Sequence, residues 1–439
     1  MNNDLFDGET CKKSLRCAIL TRVAYICRKI AESAAFGILS FVALYTNKTY
    51  SENHMSDPQH SILLDDPKEV DVVTIEQELA RLWKQASEPG GDEATMPVVR
   101  ACSLNLVVVT DNGGDAEAIS NLVGEVTVEH PSRIFLVAAD RRADVPSLEA
   151  WISARCSVPL PGGKQVCCEQ TNLTAQGTDI YKAPSVITSL LVSDVPTVLL
   201  WKLRVDEKDD VLPQLVHISD RVLIDSSEYQ DASAPLIAWN QFIKNDRGHT
   251  VFGDLAWTHL TSWRGLLAQA FHPIEIRNHL NATETVTIQY SSTQSPPHSG
   301  LSQSLLMTGW LSHVLRWKAA DPLQNDGAGK YTGKLSVGDH AVGIQINSVP
   351  PSTAGPGGIE SLSITSSLGL QLSFETIGRP GCIRMVRKRQ GEEGEESMRP
   401  VSEQTETELV ARELEVLHRD ELYEESLGRI VSLISERVG

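Results

Sequence analysis

The chain has 439 residues, 41% of them apolar, and a formal net charge of -18. That length gives room for two or three domains with a sizeable core. The acidic balance argues against a nucleic-acid-binding face, which needs clustered Lys and Arg, and against a polybasic attachment to anionic membrane.

Eight cysteines in this length are too few for a disulfide framework. No C-x-x-C occurs, and the neighbours Cys167 and Cys168 cannot easily pair with each other. Reduced, partly buried thiols of a cytoplasmic protein are expected. Lys12, Lys13, Arg16, Arg22, Arg28 and Lys29 stand close together with no acid among them, and a mostly apolar run follows over 34–45. That run is shorter than the ~20 residues of a spanning helix, and no clear small-residue cleavage site follows it. Stable membrane insertion is not expected. Residues 1–54 are read as a leader dispensable to the fold, either disordered or upstream of a start at Met55.

Residues 56–70 read as a polar linker. Thr74, with Gln77 three residues on, reads as a capping box. Ile75, Leu79, Leu82 and Trp83 then share one helical face, and Pro89-Gly90-Gly91 ends the helix. Apolar runs over 104–109, 134–139, 197–201 and 222–225 predict strands covered on both faces. Helices are predicted between them over 115–123, 181–191 and 209–217, and weaker strands over 149–158 and 164–172 suggest an antiparallel extension. Residues 233–271 read as helical in two pieces, broken at 248–253. Alternation over 285–290 predicts a strand, and 301–317 a helix. Buried strands alternating with helices indicate an α/β domain over 55–318 with a mainly parallel, helix-flanked sheet.

Turn residues over 319–334 mark a shift in composition. Val342, Ile344 and Ile346, then Leu368, Leu370, Leu372 and Phe374, alternate as in half-buried antiparallel strands, so 330–390 is read as a smaller β-rich domain. The acidic stretch 391–402 is expected to be disordered. A terminal helix over 403–437 carries Leu409, Val416, Tyr423, Leu427, Ile430 and Ile434. Glu413 and Asp420 occupy positions that a coiled coil would keep apolar, so the helix is expected to dock on the chain's own body or on a partner.

No chemistry-bearing motif is complete. Gly327-Ala328-Gly329-Lys330 lacks the upstream glycine of a phosphate loop and follows no buried strand, so it reads as a turn. Thr110 to Asp115 would place Asp111 and Asp115 against any phosphate and reads as a capped turn. No metal-ligand spacing and no nucleophile elbow occur. Asp140 and Asp225 lie at presumed strand ends, where α/β proteins often bind ligands, though caps and salt bridges explain them equally. An α/β enzyme or sensor for nucleotides or sugar phosphates, its site assembled from scattered residues, is the alternative reading. Trp257 and Arg264 fall two turns apart on one helical face with Leu260 between them, and Trp263 adjoins. Aromatic residues and arginine are frequent binding anchors, and they are equally at home in a core.

The stretch 254–269, DLAWTHLTSWRGLLAQ, resembles the signature of the glucose-6-phosphate dehydrogenase assembly protein family, OpcA. RACSLNLVVV at 100–109, HPSRIFLVAAD at 130–140, VPTVLLWKL at 195–203 and SDRVLIDSSEY at 219–229 match in the same order. His259 stands where the family pattern has arginine, and Ser262 where proline is common. The resemblance implies a bacterial protein that assembles or allosterically activates glucose-6-phosphate dehydrogenase in the oxidative pentose phosphate pathway. It implies no catalytic residues, cofactor or metal. Trp257, Trp263 and Arg264 are its candidate partner-binding residues. Some members are linked to thiol control. The C-terminal region here holds only Cys382, so an internal C-terminal disulfide switch is not available.

Overall fold

The structure is a computed structural model that describes residues 62–63, 67–87, 98–111, 116–157, 165–246, 248–294, 297–327, 329–338, 340–352, 357–378, 381–402, 404–416 and 418–435. The leader expected over 1–54 lies outside the described residues. In the expected linker, Ile62–Leu63 (β1) and Lys68–Val70 (β2) are instead short strands paired antiparallel to a later strand. The chain enters its first helix, Ile75–Ser87 (α1), through a 3-10 turn over Val72–Thr74. Asp71 caps that turn by accepting from the Val73 amide, while the Thr74 hydroxyl donates to the Asp71 carbonyl. The predicted capping role therefore falls to Asp71, three residues earlier.

The α/β part then runs Val98–Arg100 (β3), Leu104–Asp111 (β4), Ala116–Glu129 (α2), Ser132–Asp140 (β5), Ser147–Ser157 (β6), Gln165–Gln176 (β7), Ala183–Leu190 (α3), Thr197–Trp201 (β8), Leu212–His217 (α4), Arg221–Ile224 (β9), Ser233–Asn245 (α5) and Val251–Asp254 (β10). Strands β7, β5, β4, β8, β9 and β10 lie in that order and are parallel. Strand β6 extends one side as an antiparallel partner of β7, with β1 and β2 on its outer edge. Strand β4 explains the apolar run: Leu106 and Val108 enter one core beneath α2, and Val107 and Val109 enter the main core on the opposite face. Strand β10 overlaps 248–253, which the sequence presented as a break between helices. Its four residues are too short a run to show a period.

Short helices Leu255–His259 (α6), Thr261–Ala270 (α7) and Ile274–Asn281 (α8) lead into Thr283–Tyr290 (β11). After the small hairpin Ser292–Gln294 (β12) and Pro297–Ser299 (β13), Leu301–Val314 (α9) runs buried along almost its whole length. Then follow Lys318–Asn325 (β14), Tyr331–Val337 (β15), His340–Ser348 (β16), Ile359–Ser366 (β17), Leu370–Thr376 (β18), Cys382–Arg389 (β19) and Glu395–Pro400 (β20). These strands form a second, mostly antiparallel sheet in the order β14-β15-β16-β11-β17-β18-β19-β20.

Three sequence expectations change here. The strand at 285–290, grouped above with the first domain, is a central strand of the second sheet, where it pairs with β16 and β17. The acidic stretch expected to be disordered supplies the edge strand β20, because Arg387 pairs with Glu395 across the ladder. Cys156 and Cys167, expected to be reduced, are a disulfide. They stand directly opposite each other on β6 and β7, a proximity set by hairpin register rather than by sequence spacing. At the expected turn, Gly327 and Gly329 are both at positive φ and the Asp326 amide donates to the Lys330 carbonyl, while Ala328 lies outside the described residues.

The predicted terminal helix is two helices, Glu406–Glu415 (α10) and Glu421–Ser435 (α11). Thr405 and Glu408 build a reciprocal capping box at the first. Val416 leaves helical backbone angles, and Asp420 restarts the helix by accepting from the Tyr423 amide at 2.9 Å. Helix α11 packs on α9, α5 and β14, while α10 packs on α2 and α6. The two helices thereby span elements of both sheets.

The approach of α11 to α9 requires Gly309, where a Cβ would stand 2.3 Å from the Ser426 carbonyl oxygen and 3.0 Å from Ile430 Cβ. Gly309→Ala is expected to cost about 1–3 kcal/mol through overpacking, read by denaturant unfolding. Gly428→Ala, on the facing helix with open space around it, is the control and should be neutral or stabilising by about 0.5–1 kcal/mol from helix propensity.

Candidate functional site

The segment singled out in the sequence begins at the C-terminal end of β10. Asp254, fully buried, caps α6 by accepting from the Ala256 amide at 3.0 Å and also accepts from the Ser226 amide at 3.1 Å. Its Oδ2 has no protein partner among the described residues. Burial pushes the Asp254 carboxyl up to about 7, and the nearby Asp225 charge adds to the rise, against the backbone and side-chain hydrogen bonds that oppose it.

Helices α6 and α7 meet at Leu260, whose carbonyl accepts from the Arg264 amide at 2.9 Å. This junction stacks the Arg264 guanidinium over the Trp257 ring, 3.6 Å from its centroid, a favourable desolvated cation–π pair. The sequence spacing had placed these two residues on one face, and the structure brings them into contact. Trp257, Trp263 and Arg264 are only 3%, 6% and 7% exposed. They present no free binding surface in this arrangement, and their immediate role is packing. Burial pulls the Arg264 pKa down to about 10, with Asp420 and Glu413 opposing it.

The C-terminal helices cover this segment. Trp257 Nε1 donates to Asp420 Oδ2 at 2.8 Å, and the Tyr423 ring lies 5.6 Å from the Trp257 ring. Tyr423 accepts at its hydroxyl from Trp239 Nε1 at 2.9 Å. Glu413 pairs with Arg221 and accepts from the Thr258 hydroxyl, and Arg221 Nη1 donates to the Val416 carbonyl at 2.7 Å. At the start of α10, Lys202 Nζ lies 2.5 Å from both Glu228 and Glu406. Burial alone would lower the Lys202 pKa, but Glu228, Glu406 and Asp225 outweigh it and hold the ammonium charged. The acids that spoiled the coiled-coil pattern, Glu413 and Asp420, are thus the polar contacts of docking onto the chain's own body. That irregularity was the available sequence signal. Of their partners, Trp257 was singled out in the sequence, whereas Arg221 and Thr258 were not.

The other candidates resolve into structural roles. Asp140 accepts from the Arg142 amide, and Asp225 accepts from the Ser227 amide and hydroxyl. Ser227 Oγ also lies 2.8 Å from His298 Nε2. A hydroxyl that donates to Asp225 accepts from the imidazole and is not deprotonated by it, so the order Asp–Ser–His builds no nucleophile. Residues 112–115 of the expected capped turn lie outside the described residues. Among the described residues no cluster of three His, Cys, Asp or Glu is placed to hold a metal ion, and no helix is long and apolar enough to cross a membrane.

Two family models match this chain. The glucose-6-phosphate dehydrogenase subunit N-terminal domain, of the OpcA assembly type, matches residues 123–241, and the corresponding C-terminal domain matches residues 250–427. Similar proteins include three provisionally named OxPP cycle protein OpcA. That of Synechococcus elongatus is 26% identical over 331 residues, spanning 71% of this chain and 70% of the relative. That of Nostoc punctiforme is 24% identical over 70% of this chain and 66% of the relative. The Synechocystis protein is 22% identical, over 72% and 66%. A solved Parabacteroides merdae chain, provisionally described as an oxidoreductase, aligns with a TM-score of 0.34 and 9% identity over 75% of this chain and 90% of that chain. So weak a likeness carries no argument.

The buried Asp254 gives the segment a measurable pH signature. With its carboxyl raised to about 7, the folded chain keeps a proton that an unfolded chain releases near the ordinary carboxylate pKa of about 4. Raising the pH through this window therefore favours unfolding. Relative to Asp254→Asn, which does not titrate, the natural chain should lose on the order of a few kcal/mol of stability between about pH 4 and pH 7. Parallel denaturant titrations at several pH values check this; parallel pH profiles for the two proteins would contradict it.

Proposed function

Because this chain belongs to the OpcA family of glucose-6-phosphate dehydrogenase subunits, we propose that it serves in the bacterial cytoplasm as a non-catalytic assembly factor or allosteric activator of that dehydrogenase. The dehydrogenase opens the oxidative pentose phosphate pathway. The observation that carries this reading is the pair of family matches, which run in chain order through both sheets and into the terminal helices. The names of the cyanobacterial relatives point to the same pathway.

An activator works by binding the active state of its target more tightly than the inactive one. The docked helices α10 and α11 support such a role, because they tie elements of both sheets into one body that can present a fixed surface. Trp257 contributes to partner binding from beneath by holding the helices through Asp420 and Tyr423, with Arg264 stacked on its ring and Trp263 buried in the same segment. The strand-end carboxylates Asp140 and Asp225 are engaged in local caps, and no specific observation favours a nucleotide or sugar-phosphate site over the binding role.

Purified chain added to glucose-6-phosphate dehydrogenase is expected to lower the apparent KM for glucose 6-phosphate by roughly 5–150-fold, the range of ordinary allosteric couplings, or to drive the enzyme into a larger assembly measurable by sedimentation. Where substrate affinity changes, substrate must in turn tighten the complex by the same factor. An enzyme whose affinity, rate and mass are all unchanged by saturating chain would sink the proposal.

A further inference from the structure

Lys202 follows β8 at the carboxyl edge of the parallel sheet and ties α10 to it. Its Nζ lies 2.5 Å from Glu228, on the 3-10 turn Ser226–Glu228, and 2.5 Å from Glu406 in the first turn of α10. Asp225, just before that turn, adds a third carboxylate to the surroundings of the ammonium. One ammonium cannot neutralise three carboxylates, and an uncompensated buried charge is costly. The Glu228 side chain is 26% exposed and that of Glu406 is 37% exposed. Of the two carboxylates that touch Lys202, Glu228 is therefore the less hydrated and the readier to keep a proton. Burial pushes its carboxyl up to about 7; Lys202 opposes the rise, and Asp225 and Glu406 add to it. The elements packed around the turn bring further titratable groups. Tyr229 follows it and is kept protonated by burial, Asp254 precedes α6, and His298 lies on β13, while α9 brings the uncharged Ser302.

We propose that Lys202, Glu228 and Glu406 form a proton-controlled latch that holds the start of α10 on the parallel sheet and loosens as the pH rises past neutrality. With Glu228 protonated, the ammonium is free to engage Glu406. Once ionised, Glu228 competes for the ammonium and repels Glu406. Release of Glu406 gives Glu228 the ammonium to itself and opens it to water, and both changes lower its pKa. The docked chain thus holds a proton that the released chain gives up, so raising the pH through about 7 favours release. A full return of Glu228 to the ordinary value of about 4.3 makes the docking constant fall about 10-fold between about pH 6 and pH 8. The opening is confined to the first turns of α10, because Glu413 anchors the far end through Arg221 and Thr258. Burial of Leu409 and Val410 favours the docked form at every pH, so the latch sets how often α10 opens.

The test is amide hydrogen exchange of the full chain at about pH 6 and pH 8, corrected for the intrinsic pH dependence of exchange. Protection of the Val410 and Ala411 amides in the natural chain should fall by up to about 10-fold over this range, while strands β8 and β9 keep theirs. Glu228→Gln removes the competing charge and should retain at pH 8 the protection that the natural chain shows at pH 6. Glu406→Gln, at the more exposed position, should show weaker protection at both pH values and little difference between them. Asp254→Asn and His298→Gln should keep the pH dependence of the natural chain. A natural chain with equal protection at both pH values overturns the latch, as does an undiminished pH dependence in Glu228→Gln and Glu406→Gln. Loss of the dependence in His298→Gln also overturns it, by assigning the proton to the imidazole. Loss of protection in β8 and β9 in step with α10 overturns it in favour of global unfolding. Should circular dichroism show that Glu228→Gln does not fold, Glu406→Gln decides the outcome by itself.

Discussion

Glu413 stands at the centre of this molecule's organisation. It is a buried carboxylate that reaches from a C-terminal helix to Arg221 on the first sheet and to Thr258 on the segment after it. A buried ion pair is expensive to desolvate, and losing one partner strands the other charge. Its value lies in specification: a helix that must satisfy Arg221 and Thr258 together has one position and one register. Asp420 repeats the arrangement one element later by holding the Trp257 indole nitrogen. Apolar burial of Tyr423, Leu427 and Ile430 supplies the attraction, and the two acids decide where it is spent.

The consequence reaches both sheets. The parallel sheet ends at β10, and Gly253 on that strand has Glu413 and Leu223 so close that a Cβ would collide with both. The second sheet meets the same helices through α9, whose Gly309 allows α11 to approach backbone to backbone. The Trp257–Arg264 stack lies between these contacts. The terminal helices thus contact the α/β part through close side-chain packing and buried polar bonds.

The core strands of the α/β part were legible in the sequence because burial on both faces writes itself as an uninterrupted apolar run. Strands 104–109, 134–139, 197–201 and 222–225 all stand within a residue or two of their observed bounds, and the hairpin of β6 and β7 was visible as an antiparallel extension. The less legible elements were short or charged. Strand β10 has four residues, β2 has three, and β20 is polar, largely exposed and starts in an acidic stretch. Local composition reports the average environment of a segment, whereas pairing along an edge depends on a neighbour far away in the chain.

Sequence by itself determined the α/β class, the parallel core, the pattern of turns and, through ordered motifs, the family. It also exposed Glu413 and Asp420 as misfits on an otherwise apolar face, because a helix has a period against which a misfit shows. Only the tertiary structure decided what those misfits were for. The disulfide between Cys156 and Cys167, the membership of β11 in the second sheet and the burial of Trp257, Trp263 and Arg264 were likewise decided there. Each rests on a contact between residues whose proximity no local pattern records. An exposed anchor and a buried one are the same amino acid in sequence, and what distinguishes them is whether another part of the chain arrives to cover it.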